Sequence, residues 1–483
     1  MTTNLKQSEV ETLRSDLIQA TPENAQAAEN ADDLPASSLY IPASHLKALS
    51  PDKPLVVGMR GAGKSYWWLQ LQKPELLPLI YGSKTTTSIQ IECKPGFGKN
   101  PNPNECPDRK ILVSLISQYS AEDIWRAVIG RHIPLIELLI PAISKESWDS
   151  RVHWMANNVE PVQKAMYEFD QQLQQEKRQL IVLFDSLDDA ADTWADKKNL
   201  LRGLFRVLVD LRTYRAIRGK VFIRPDMLTP DVSNFPDASK LLAERVDLSW
   251  PRADLYALLW QALGNKSGLF RNWCQQEHGQ TWLQSGTVWQ TPADLRKDEG
   301  FQRKVFHGLA GEWMGTNAKR GFPYTYFPNH LGDANAAVSP RSFLVSIHRA
   351  AEATQEKYPA MPYPLHYEAI KIGLQKASII RKSELQVEYP WVDTAMNLLS
   401  QRINLPCDWN EIRQLWDSGH LIKTLENSAF KPEGLANGLE GIRDEMIEIA
   451  VFQSAQDGVR INVPDVFRIG YGLGRKGGIK PVR

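Results

Sequence analysis

The sequence predicts an α/β core on a mostly parallel sheet, followed by a helical lid and a C-terminal winged-helix-like domain. Three observations predict it. Between residues 39 and 250, short apolar runs alternate with helical patterns, as in sheets whose parallel strands are joined by crossover helices. After Trp250 the periodicity becomes helical. Near the end, Val451-Phe452-Gln453 and the run Val459 to Val463 flank Asp457-Gly458, the pattern of a β-hairpin following helices. A chain of 483 residues exceeds one compact core, and about three domains are expected.

Taken in order, residues 1–38 are rich in Ala, Gln, Asn and acids. They read as a disordered N-terminal arm with a short amphipathic helix around Val10 to Ala20. The core is expected at 39–250. Its strands are Pro54 to Gly58, Ser88 to Glu92, the nearly all-apolar Gln179 to Phe184, Lys220 to Ile223, and Arg245 to Leu248. A polar loop is expected over Lys94 to Asp108. Ser120 caps a helix carrying Trp125, with Asp123 in the capping-box position. Further helices are expected over Pro161 to Lys177 and, basic and amphipathic, from Lys198 to Arg215. The lid, with an insertion, is expected at 251–365. Pro251 suits a first helical position, and Ser339-Pro340 caps and opens a later helix. Between them, Gly264 to Asn335 looks looser. Residues 366–483 form the helical and winged-helix-like part, with a basic tail.

Bulk properties exclude several classes. With 42% hydrophobic and 23% charged residues the chain is globular, and a net charge of +1 gives no global pull toward nucleic acid or membrane. Cys93, Cys106, Cys274 and Cys407 are scattered, which argues against a zinc site and for reduced thiols. The most apolar stretch, Ile133 to Ile143, is broken by Glu137 and Pro141, so no membrane span is expected. The N-terminus has no basic-then-apolar leader pattern, and a cytoplasmic location is expected. The 15 tryptophans read as core and interdomain packing.

The chemistry is concentrated in Gly58-Met59-Arg60-Gly61-Ala62-Gly63-Lys64-Ser65, followed by Tyr66 and placed between a strand and a helix. This is the phosphate-loop, or Walker A, pattern. Its glycines let the backbone N–H groups curl around phosphate oxygens, Lys64 reaches the β- and γ-phosphates of ATP, and Ser65 holds Mg²⁺. A P-loop NTPase also needs a carboxylate for the metal and a group that positions water. Asp185, at the end of the apolar strand, fits the first role, and Asp188 or Asp189 the second. The alternative is that Ser186 to Asp189 simply turn the chain and cap the next helix.

Asp185-Ser186-Leu187-Asp188-Asp189 resembles the Walker B segment of the STAND-type signalling ATPases of the NACHT and KAP groups, which are related to AAA+ ATPases. In those groups a small residue follows the metal-binding aspartate and an acid pair stands three and four positions on, usually Asp-Glu. Here it is Asp-Asp. The resemblance implies a sensor residue at Arg224, ending the strand Val221-Phe222-Ile223, with an arginine that merely caps the sheet edge as the alternative, and a lid arginine reaching the nucleotide at Arg341, in Ser339-Pro340-Arg341. It also implies that Tyr40 and His45 line the adenine pocket, with a core or surface role as the alternative. Arg202, Arg206, Arg212, Arg215 and Arg218 offer an arginine finger, though a solvated basic face is the simpler reading.

The leading expectation is an ATP-binding, slowly hydrolysing switch with Mg²⁺, bridging core and lid through Lys64 and Arg341. It would gate self-association or a separate effector protein, as in bacterial defence systems. One alternative is a DNA-handling AAA+-like ATPase using the basic end, where Arg460, Arg468, Arg475, Lys476, Lys480 and Arg483 face only Asp465 in charge. The other is a nucleotide-binding scaffold with little turnover.

Overall fold

A computed structural model of the chain describes residues 5–23, 39–81, 89–99, 102–455 and 459–481. The chain divides into two compact units, Ile41–Ser249, and Met1–Tyr40 together with Trp250–Arg483.

The first unit is built on β1 (Leu55–Val57), β2 (Gln90–Phe97), β3 (Arg178–Phe184), β4 (Ile217–Ile223) and β5 (Val246–Asp247), in the spatial order β2-β3-β4-β1-β5. Every pair is parallel, so all five strands end at one edge of the sheet. The strands that lead into the glycine-rich loop and into Asp185, β1 and β3, are separated by β4 alone. All of β1 and the last five residues of β3 are buried, which is why they read as continuous apolar runs. β2 extends to Phe97 and absorbs the first residues of the expected loop. It can do so because it lies at the sheet edge, where Pro95 costs no ladder bond. Ser88, its expected start, lies outside the described residues.

Around the sheet pack α1 (Ala43–Leu49), α2 (Lys64–Gln70), α3 (Ala121–Gly130), α4 (Val159–Gln175) and α5 (Trp194–Asp210), with shorter helices between them. Ser120 caps α3 as expected, accepting from Asp123 N at 3.1 Å. On α4, Val162, Ala165, Phe169 and Leu173 form the buried stripe, and Asp170 is buried with them. Its carboxylate accepts the backbone N–H groups of Arg215, Ala216 and Ile217, so the start of β4 is capped by a helix. Lys220, wholly buried in β4, donates to the carbonyls of Ala48, Ser50 and Lys53 at 2.8, 2.9 and 2.5 Å. Burial pushes its ammonium down to about 7. The lysine thereby ties the segment leading into β1 to the sheet.

The second unit contains α6 (Arg252–Lys266), α7 (Gly268–His278), a hairpin of β6 (Leu283–Ser285) and β7 (Val288–Gln290), α8 (Pro340–Lys357) and α9 (Tyr367–Glu388). Pro251 is the N-cap of α6 rather than its first residue. The segment expected to be loose is ordered by its aromatic residues. Phe270 lies 5.6 Å from Trp260, 6.0 Å from Trp273 and 6.1 Å from Trp282, measured between ring centroids. Gly264 serves packing, since a Cβ there would stand 2.0 Å from the Trp282 ring.

The helix expected in the N-terminal arm is present, and it is docked rather than free. Spanning Gln7–Ala20, it is a packed element with Leu13 and Leu17 fully buried. Arg14, also buried, donates to Pro364 O at 3.0 Å and Tyr363 O at 3.1 Å. The apolar stripe was visible in the sequence; its partners lie some 350 residues away. Residues 1–4 and 24–38 of the expected arm lie outside the described residues.

A separate hydrophobic core forms the C-terminal part. Here β8 (Cys407–Asp408), α10 (Trp409–Ser418), α11 (Leu421–Glu426), α12 (Gly438–Glu448), β9 (Gln453–Ser454) and β10 (Arg460–Asn462) follow in order. The strands pair antiparallel as β9-β10-β8, giving a winged-helix-like domain. The expected turn, Asp457-Gly458, lies outside the described residues.

Candidate functional site

Because β1, β3 and β4 run parallel, the loops after them emerge together. The loop after β1 runs over Gly58–Gly63 into α2. Gly61 and Gly63 adopt φ of 77° and 101°, left-handed values that glycine takes without strain. Gly58 is held against the sheet by its N–H to Ile223 O at 3.0 Å. A Cβ at Gly58 would stand 3.2 Å from both Ala62 and Leu248. Ala62 N donates to Met59 O at 3.1 Å and closes the loop, with Arg60 at its partly exposed tip. Lys64 turns back over the loop, its ammonium 2.8 Å from Gly58 O and 3.0 Å from Met59 O.

Ser65 Oγ donates to Asp185 Oδ2 at 2.6 Å, joining the first turn of α2 to the end of β3. Ser186 Oγ reaches the same oxygen at 3.1 Å. Asp185 is 2% exposed. Burial raises its carboxyl above the usual range, against the hydrogen bond from Ser65 and the charge of Lys64. A hydroxyl and a carboxylate oxygen side by side are the hard donors Mg²⁺ takes, leaving its other positions to water and phosphate. Among the described residues no group of three or more His, Cys, Asp or Glu could hold a metal by itself. The donor pair of Ser65 and Asp185 fits a Mg²⁺ ion that takes its remaining ligands from outside the protein.

The chain after Asp185 turns through Ser186 (φ 55°) into the single helical turn Leu187–Asp189. This turn separates the two acids. Asp188 accepts from Arg224 Nη1 at 3.1 Å, whereas Asp189 is exposed. Arg224, 7% exposed, also grips Asp226 with Nε and Nη2 at 3.1 and 2.8 Å. Lys197 on α5 stands near this cluster; burial lowers its ammonium, and the charges of Asp188 and Asp189 oppose that. Sequence reasoning missed Asp226. The available signal was an acid two residues beyond the sensor position, in Arg224-Pro225-Asp226.

Other expected site residues are placed elsewhere. His45 is fully buried: Trp67 Nε1 donates to its Nδ1 at 3.0 Å, and its Nε2 lies 3.1 Å from Ser249 O. Burial drops its imidazole to about 4. It braces Trp67, the ring nearest Gly63, and so supports the phosphate loop from behind. Tyr40 belongs to the second unit, where its hydroxyl donates to Asp254 at 2.5 Å. Tyr66 packs edge-on to Trp67 at 5.2 Å, and burial raises its phenol. Arg341 also belongs to the second unit and donates to Glu384 at 2.9 Å, which Arg381 meets at 2.6 Å. Along and beyond α5, Arg206 pairs with Glu122, Arg212 with Glu244, Arg218 with Asp52, and Arg202 reaches Asn234 O. These contacts favour the structural reading of the basic helix.

The basic end is similarly engaged. Arg468 is fully buried and donates to Asp465, Leu473 O and Ile479 O. Arg475 reaches Asp465 at 2.9 Å, and His330 Nδ1 lies 2.5 Å from its other oxygen. Two of the charges expected to face DNA are thus spent inside the fold, and Arg483 lies outside the described residues. The four cysteines are free and buried, and burial raises their thiols, for example Cys93 to about 12. No helix among the described residues is long and apolar enough to cross a membrane.

No family model matches the chain, and no curated protein matches it. Two solved structures align with most of its length. Cdc6p from Pyrobaculum aerophilum is 11% identical over 85% of this chain and 83% of that one, with a TM-score of 0.28. The ORC2 protein of Aeropyrum pernix, in ADPNP-ADP complexes, is 12% identical over 92% and 91%, with a TM-score of 0.39. Neither likeness is close enough to carry over a residue's role or an activity.

Proposed function

We propose that this chain binds ATP with Mg²⁺ at the loop after β1 and hydrolyses it slowly. The observation that carries the reading is the 2.6 Å bond from Ser65 to Asp185, which brings the Walker A hydroxyl and the strand-end acid to one point. Lys64 supplies the positive charge beside them, and α2 its N-terminal dipole. Mg²⁺, when bound, neutralises phosphate charge as it redistributes toward the leaving group. The chain's own residues do the rest. Lys64 exchanges its bonds to Gly58 O and Met59 O for phosphate oxygens, and Asp188 orients the attacking water.

The finer reading is a STAND-like switch, resting on the Asp185 to Asp189 segment, with Arg341 as the lid residue that responds to nucleotide and residues 251–365 as the lid. ATP would favour self-association or engagement of a separate effector protein, and ADP would release it. The DNA-handling alternative loses support from the internal pairing of Arg468 and Arg475.

Phosphate release from purified protein, with light scattering in ATP and in ADP, tests both levels. Turnover with a nucleotide-dependent change in mass is the expected result. A chain of unchanged mass in both states overturns the switch. Turnover stimulated by duplex DNA, with a gel shift at low salt, would favour the alternative.

A further inference from the structure

Arg224 divides its guanidinium between two acids. Nε and Nη2 take both oxygens of Asp226 at 3.1 and 2.8 Å, and Nη1 takes Asp188 Oδ2 at 3.1 Å. The side chains of Arg224 and Asp226 are 9% and 18% exposed, and that of Asp188 is 34% exposed. A bidentate pair fixes the plane of the guanidinium as well as its position. With Asp226 holding the Nε–Nη2 edge, the two N–H directions of Nη1 are fixed in the plane, and Asp188 lies along one of them. Asp226 itself follows Pro225 in a short helical turn, Pro225–Met227, that starts directly after Arg224. The proline fixes the backbone between the two partners.

We propose that Asp226 is a positioning residue for ATP hydrolysis, acting through Arg224 to hold the Asp188 carboxylate aimed as the acceptor for water. This rests on the ATPase reading above. In the reaction the water oxygen bonds to the γ-phosphorus, and the bridging P–O bond breaks with its electron pair left on ADP. The proton released passes to Asp188 and then to solvent. Asp226 touches neither nucleotide nor water; its effect falls on turnover and leaves binding of ATP intact.

The test compares wild type, Asp226→Asn, Arg224→Gln and the double variant. It uses phosphate release at varied ATP and the fluorescence of a labelled ATP analogue, with thermal melts confirming that each protein is folded. Asp226→Asn should lower kcat about 10- to 100-fold, with KM and analogue affinity within about 2-fold of wild type. The double variant should be no slower than Arg224→Gln, because Asp226 has no second route to the chemistry. Asp226→Ser, which removes the carboxylate with less bulk, should repeat the result should the asparagine variant melt early. A wild-type kcat in Asp226→Asn and Asp226→Ser, or losses that multiply in the double variant, would overturn this role and leave the ATPase reading standing. A wild-type chain that releases no phosphate overturns both.

Discussion

Asp185 and Asp465 are 2% and 5% exposed, and the chain treats them in opposite ways. Asp185 is offered the hydroxyls of Ser65 and Ser186. Burial pushes its carboxyl up and outweighs those bonds. Burial pushes Asp465 up too, but hydrogen bonds from His330 and Arg468, and the charge of Arg468, overcome it and hold the carboxyl at about 2. Where hydroxyls and the charge of Lys64 leave a buried carboxyl raised, an electrostatic cost remains that a bound cation relieves. One ringed by arginines is already neutralised. The first is the acid of the candidate nucleotide site and the second is a structural joint.

The largest effect expected from breaking this contrast is on stability at the joint. Asp465→Asn should cost about 3–5 kcal/mol, because it leaves Arg468 buried without its counter-charge. Denaturant melts would read the loss, and a change below about 1 kcal/mol would show that the joint is not electrostatic. Asp185→Asn should do the reverse. Turnover should fall about 10²–10³-fold, or roughly 3–4 kcal/mol in barrier, while the melting temperature holds or rises as a charge-burial cost is removed. ATP with Mg²⁺ at a hundredfold excess over its dissociation constant should stabilise wild type by about 2.7 kcal/mol, and the gain should shrink in that variant.

Acid titration offers the smallest and most diagnostic effect. The Asp465 carboxyl is lowered from 3.8 to about 2, so its contribution is present above 3.8 and is lost as pH falls toward 2. The shift corresponds to about 2 kcal/mol. Asp185 is raised, so its protonated form favours folding; that contribution is present below 3.8 and lost as pH rises through its folded value. Stability measured from pH 5 to 2 should therefore fall less steeply in Asp465→Asn and more steeply in Asp185→Asn, each relative to wild type.

The legible parts of the sequence were those whose meaning is local. The phosphate loop is one contiguous run with its strand before it and its helix after it, and β3 announces itself as a buried strand ending in an acid. The order of the strands, with β4 between them, follows no local signal. Neither do the long-range polar contacts. His45 could not be separated from a ligand-lining residue until Trp67 and Ser249 were seen on its two nitrogens. Arg468 looked like one more basic residue in a tail, because the carbonyls of Leu473 and Ile479, and an Asp465 carboxylate shared with His330, converge on it only once the chain has folded. The edge of β2 was misjudged because proline usually argues against a strand and is harmless on an outer one.

The docked helix Gln7–Ala20 matters for anyone producing this protein. A clone trimmed to begin at the phosphate-binding unit would discard Leu13 and Leu17 and leave their seat against α6 and α8 open to water. The carbonyls of Tyr363 and Pro364 would lose the guanidinium that now serves them. Such a product should aggregate through the uncovered face, so an affinity tag belongs ahead of residue 5 with the helix kept whole.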